Sequence, residues 1–146
     1  MRMTTKAQYA VRAMVDLSLH CDGKPVALKD ISLREGIPLN YLEQLFNRLR
    51  RGSIVRSVRG PGGGYLTARP PAEIRIGQII ATVEEPLAPV SCLDGSSCPR
   101  DARCSTHHVW EDLGARIRDF LDSITLEDLV VKASGLAPVS PSTDRK

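Results

Sequence analysis

LNYLEQLFNRLRRGSIVRSVRGPGGGYL, residues 39–66, carries two different periodicities back to back. Leu42, Leu45, Phe46 and Leu49 recur at three- and four-residue intervals, which lines them along one stripe of a helix from about Leu39 to Arg51. Asn40, Tyr41, Gln44, Asn47, Arg48 and Arg51 fall on the opposite side. Gly52 then stops the helix. Ile54-Val55-Arg56-Ser57-Val58 reads as a short strand, Arg59-Gly-Pro-Gly-Gly-Gly64 as a turn and Tyr65-Leu66 as the start of a return strand.

Upstream, Ala7, Ala10, Val11, Met14 and Leu17 predict a helix over about Thr5 to His20, ended by Cys21-Asp22-Gly23. A second short helix is expected over Leu28 to Glu35, burying Leu28 and Ile31. Gly36-Ile37-Pro38 breaks the chain before the third helix, because Pro has no N–H with which to continue one. Two helices joined by a tight turn, the second polar and Arg-rich outside, form the helix-turn-helix pattern, and a β-hairpin directly behind it is a wing. The glycine run has neither the spacing of a nucleotide-binding loop nor a helix after it. It reads instead as a place where backbone N–H groups at Gly60, Gly62 and Gly63 approach phosphate, flanked by Arg56 and Arg59.

Charge agrees. Residues 1–75 carry a net +7 and residues 76–146 a net −4. A basic first half points to a polyanionic partner, duplex DNA. Tyr41, Gln44, Asn47 and Arg48 are the candidates for base edges, and Arg50, Arg51, Arg56 and Arg59 for phosphates. Aromatic residues make up only 4% of the chain, which argues against a stacking surface for single strands. No nucleophile–base pair, phosphate loop or carboxylate pair suggests an enzyme.

Beyond the wing, Pro70-Pro71 marks a linker, and Ile76, Ile79, Ile80 and Val83 predict a short helix packed back on the first unit. From about Ser105, Trp110, Leu113, Ile117, Phe120 and Ile124 are spaced 3, 4, 3 and 4, the period of a coiled-coil seam, broadened by Val109 and Leu121. A homodimer through the 105–124 helix is the expectation. Thr125-Leu-Glu-Asp128 can cap one further turn containing Leu126, Leu129 and Val130. The fold expected is mainly α with a small β-hairpin wing: a winged helix-turn-helix DNA-binding domain over 1–85, a ligand-bearing loop over 86–104, a dimerisation helix over 105–131 and a disordered tail over 132–146.

That loop holds three of the four cysteines. Cys92, Cys98 and Cys104 lie six positions apart, with His107 three after the last, among Gly, Ser, Pro and Asp. No apolar run approaches the roughly 20 residues of a membrane span, and the N-terminus lacks a signal peptide's apolar core. A cytoplasmic location follows as the expectation, where thiols stay reduced and clustered cysteines indicate metal chemistry. Three soft thiolates and an imidazole suit either structural zinc or an iron–sulfur cluster, and the spacing leaves both open. His20, His108 and Cys21 have no ligand partner in the sequence.

MRMTTKAQYAVRAM at the start, YLEQLFNRLRRGSIVRSVRGPGGGYL in the middle and the Cys92, Cys98, Cys104, His107 set together resemble the bacterial iron–sulfur cluster assembly regulators, the IscR branch of a wider winged-helix family. The resemblance covers Met1 to about Val130. It implies a dimeric, mainly repressing transcription factor that holds a 2Fe-2S cluster on those four residues. Its occupancy would select promoters, and assembly or carrier proteins would donate the cluster. Glu43 matches a position that distinguishes site classes in this branch, where a carboxylate can accept from cytosine N4. The nitric-oxide-sensing relatives, with a 4Fe-4S cluster, use a carboxylate at position 8, where this chain has Gln8. An iron–sulfur carrier is the alternative of a different class; it would need neither the wing nor the basic half. Replacing one thiolate by imidazole removes a negative charge, raising the reduction potential and making the cluster more labile.

Overall fold

In the computed structural model, residues 5–84 and 106–136 are described. Helices α1 (Thr5–Cys21), α2 (Leu28–Glu35) and α3 (Leu39–Arg51) precede strands β1 (Val55–Val58) and β2 (Gly64–Thr67). A 3-10 turn (Pro71–Glu73) leads to α4 (Ile76–Val83), and α5 (His107–Asp122) and α6 (Leu126–Leu136) follow. The winged helix-turn-helix expected from residues 39–66 is present.

The core is built where the stripes predict it. Ala7, Ala10, Ala13, Met14 and Leu17 of α1 meet Ile31 of α2 and Leu42, Leu45, Phe46 and Leu49 of α3, all essentially inaccessible. Each large side chain so buried contributes about 1.5–3 kcal/mol relative to exposure. Burying this stripe of α3 turns its polar face outward. Between α2 and α3, Gly36 adopts a left-handed conformation (φ 69°), and its N–H donates to the Ser32 carbonyl at 2.9 Å. α3 begins directly after Pro38 with no side-chain cap. Without a cap, the burial of its apolar stripe is what holds it.

The hairpin pairs antiparallel, Val55 with Thr67 through Val58 with Gly64. Val26, in the α1–α2 connection, extends it by one residue. Its N–H donates to the Tyr65 carbonyl and the Tyr65 N–H donates back, both at 2.9 Å. That contact explains Gly64, and the tight turn itself explains Gly63. A Cβ at Gly64 would strike the Val26 carbonyl, and one at Gly63 would strike the Val58 carbonyl, all backbone atoms that cannot swing aside.

A buried ion pair not anticipated from the sequence ties α1 to α2. Asp16 is only 3% exposed and accepts from Arg34 Nε at 3.0 Å and Nη2 at 2.8 Å. That hydrogen bond raises the Arg34 pKa above its ordinary value. His20 is not without a partner: its Nδ1 lies 2.9 Å from the Asp16 carbonyl oxygen and 3.6 Å from Asp16 Oδ1.

α4 packs on α1 and α3, as its four apolar positions imply. The 105–131 stretch holds two helices, divided at the cap expected from Thr125 and Asp128. α5 ends at Asp122, and Thr125 starts α6 with a reciprocal cap: its N–H donates to Asp128 Oδ2 at 2.9 Å, and the Asp128 N–H donates to Thr125 Oγ1 at 3.1 Å. Ile124 therefore lies outside α5 and packs against the core. The turn is stitched to the reader by the Ile76 N–H on the Ile124 carbonyl (2.9 Å) and the Leu126 N–H on the Ile74 carbonyl (2.8 Å). Leu126 is fully buried. α6 extends to Leu136, five residues into the stretch read as tail. Among the described residues no helix is long and apolar enough to cross a membrane.

Candidate nucleic-acid interface and metal-ligand segment

On α3, Glu43, Gln44, Arg48, Arg50 and Arg51 are exposed, while Tyr41 and Asn47 are half-buried. These seven candidates share the outward side of one helix, but they are not equally available. Gln44 makes no side-chain hydrogen bond among the described residues, which leaves its amide able to meet a base edge in two directions. Asn47 Oδ1 accepts from Arg50 Nη2 at 2.9 Å. Arg48 Nη1 donates to the Val83 carbonyl at 3.1 Å, satisfying an open carbonyl at the end of α4. Arg48 thus also joins α3 to α4, a task the sequence does not signal. The Tyr41 ring stands edge-on to Tyr9, centroids 5.4 Å apart, and the Arg12 guanidinium lies 5.6 Å from the Tyr9 ring centre. Tyr41 is therefore held rigidly.

Arg56 and Arg59 of the wing are exposed. Gly60 and Gly62 have positive φ (98° and 75°), with open space where a Cβ would stand. The Gly63 N–H donates to the Gly60 carbonyl at 2.8 Å. It is therefore a turn donor rather than a phosphate donor, and Gly63 keeps the turn tight. Lys6, which the sequence reading missed, lines a cleft of about 270 Å³ with Tyr41, Gln44, Leu45 and Arg48. Nothing local in the sequence says that the first turn of α1 lies beside α3.

Cys92, Cys98 and Cys104 lie outside the described residues. His107 opens α5, with Nε2 3.4 Å from Glu111 Oε2, one turn on, and its side chain is 29% exposed. A partly exposed imidazole at the joint, three positions after a thiolate and followed by a helix, suits the donor set of an iron–sulfur centre. His108 is exposed beside it. Cys21 is half-buried against the core, far along the chain from the other three. On α5, Val109, Leu113 and Phe120 are 51%, 39% and 62% exposed, and Trp110 and Ile117 are half-buried. Among the described residues this apolar face of α5 is largely uncovered.

A hairpin wing behind an outward-facing polar helix defines the chain as a winged helix-turn-helix DNA-binding regulator. Known proteins agree. The profile of the Rrf2 family, described as an iron-dependent transcriptional regulator, matches residues 3–132, and the chain belongs to that family. It is 52% identical over 130 residues to the HTH-type transcriptional regulator IscR of Pectobacterium atrosepticum, covering 89% of this chain and 79% of that one. To the IscR of Serratia proteamaculans it is 51% identical over the same span. Among solved structures, T. potens IscR superposes with a TM-score of 0.74 at 38% identity, covering 100% of this chain and 93% of that one. CymR, the global cysteine regulator of B. subtilis, superposes with a TM-score of 0.78 at 32% identity, covering 90% and 98%. The named relatives are transcriptional regulators, a class without catalytic activity.

Proposed function

We propose that this chain is a cytoplasmic, homodimeric transcription regulator, mainly a repressor, whose iron–sulfur occupancy controls which promoters it binds, those of iron–sulfur assembly genes foremost. Cys92, Cys98, Cys104 and His107 would hold a 2Fe-2S cluster donated by assembly or carrier proteins. When bound, the cluster supplies a redox-sensitive and losable link whose presence reports iron–sulfur status. The observation that carries this reading is the position of His107 as the first residue of α5, three residues after Cys104, on the helix whose far end is stitched to the reader at Ile74 and Ile76.

The chain's own residues supply the rest. The Val109, Leu113, Ile117 and Phe120 face of α5 pairs with its twin, and a dimer presents two α3 helices to successive major grooves roughly 34 Å apart. Gln44 and Glu43 read base edges, while Arg51, Arg56 and Arg59 hold phosphate. Because α5 is anchored through Leu126 and the Ile76–Ile124 hydrogen bond, a shift at its His107 end moves each reader as a body. The proposed division is a reader over 1–85, a ligand loop over 86–104, a dimerisation helix over 105–131 and a tail over 132–146.

Anaerobic purification with iron, sulfide and zinc analysis tests the cluster. A red-brown protein with about two irons and two sulfides per chain, lost in Cys98→Ala, is expected. One zinc per chain and no colour would leave the DNA reader and remove the sensor. Four irons with four sulfides would replace the 2Fe-2S assignment. Arg59→Ala should weaken binding to every duplex, and Gln44→Ala should change sequence preference. Equal effects of both variants on all duplexes would sink that division.

A further inference from the structure

The cleft between the first turn of α1 and the outward face of α3 contains two cations, Lys6 and Arg48, with the Tyr41 ring and the Gln44 amide, and among the described residues no carboxylate lines it. We propose that this cleft seats a backbone phosphate of the bound duplex, with Lys6 as its principal cation and Tyr41 as a phosphate rather than a base contact. The inference rests on the DNA-binding reading and adds a contact from outside the helix-turn-helix and the wing.

Three observations support it. Lys6 forms no ion pair or hydrogen bond among the described residues, although its side chain is half-buried beside the reading helix. A cation without a counter-charge beside the reading helix is free to pair with an incoming anion. Second, Tyr41 is braced by Tyr9 at 5.4 Å, so its hydroxyl keeps a fixed direction; a base-edge contact that must adapt to the groove is served better by the unpaired Gln44. Third, Arg48 is tethered to the Val83 carbonyl through Nη1, which keeps its guanidinium at the edge of the cleft with further donors in hand. A compact ammonium, a fixed hydroxyl and an anchored guanidinium around one concavity suit a tetrahedral anion, and phosphate is the anion that duplex DNA presents.

A phosphate contact carries no sequence information but releases about 0.9 counterion, so removing it flattens the salt slope by about that amount per protomer. Between 50 and 200 mM salt the wild-type advantage over Lys6→Ala should therefore shrink about 3.5-fold per protomer. The experiment is a fluorescence anisotropy titration of a duplex selected from a random library and of a scrambled duplex of equal length. Full-length wild type, Lys6→Ala and Lys6→Arg are compared at several salt concentrations, with circular dichroism checking that each is folded. Weakening by the same factor on both duplexes, a reduced slope for Lys6→Ala and a restored slope for Lys6→Arg are expected. A wild-type slope in Lys6→Ala, or a loss confined to the selected duplex, would overturn the site while leaving the DNA-binding reading in place. Wild type without salt-dependent duplex binding would overturn both. If Lys6→Ala is unfolded, Lys6→Gln, which keeps the stem that packs against α3, decides by the same slopes.

Discussion

Replacing Gly64 with alanine separates two explanations of the wing glycines. If they exist to let phosphate approach the backbone, Gly64→Ala should leave stability intact and weaken DNA binding. The structure assigns Gly64 a different task, because an added Cβ meets the Val26 carbonyl, which accepts from the Tyr65 N–H at 2.9 Å while the Val26 N–H donates to the Tyr65 carbonyl at 2.9 Å. Relief requires the α1–α2 connection to move away from β2. Forcing a methyl group into packed structure costs about 1–3 kcal/mol. Weakening two backbone hydrogen bonds adds about 0.5–1.5 kcal/mol each. A loss of about 3 kcal/mol is therefore expected. With a urea dependence of about 2 kcal/mol per M, the midpoint should fall by about 1.5 M. Wild type, Gly64→Ala and Gly62→Ala are unfolded in urea at one fixed protein concentration, since association shifts apparent stability. Gly62 has open space at its Cβ and a φ of 75°, so Gly62→Ala should lose only about 1–2 kcal/mol, and Gly62→Asn less. A Gly64→Ala protein that unfolds with wild type but binds DNA more weakly would refute the packing argument.

Phe120→Glu places a charge on the α5 face at its most exposed apolar residue, 62% accessible in the last turn, and should convert the proposed dimer to a monomer in sedimentation equilibrium without lowering helix content; an unchanged mass would remove α5 as the interface. Arg34→Met strands the buried Asp16 carboxylate and should cost about 2–3 kcal/mol in urea unfolding, less than a fully buried pair because Arg34 is itself a third exposed. Arg12→Met removes only contacts of an exposed side chain, the ion pair and carbonyl hydrogen bond with Glu35 and the approach to the Tyr9 ring, and should cost about 1 kcal/mol, so a loss equal to that of Arg34→Met would contradict the distinction. The Thr125 N–H and hydroxyl hydrogen bonds hold the Asp128 carboxyl below its ordinary value of 3.8. A depressed folded pKa means that this cap stabilises α6 at pH above the ordinary carboxylate value and is lost as pH falls through the folded one. Hydrogen exchange of the first α6 amides should lose protection in acid for wild type, and Asp128→Asn should abolish that pH dependence.

Much of this protein was legible in its sequence because the signals are local. The Leu42–Leu49 stripe, the Gly36-Ile37-Pro38 break, the Gly52 stop and the Thr125–Asp128 cap each act within a turn or two of chain, where side-chain periodicity and backbone permissiveness alone select the structure. The outward side of α3 followed from burying the other side. Tertiary structure alone decided which of those residues are available and what else stands beside them. Arg48 reaches Val83 across 35 residues of chain, Gly64 is fixed by Val26, Lys6 arrives at α3 from another helix, and Leu126, just behind the Thr125 cap, enters the core beside Ile74. Each of these depends on where distant segments pack, and a periodicity records which face of an element is buried without recording what it is buried against.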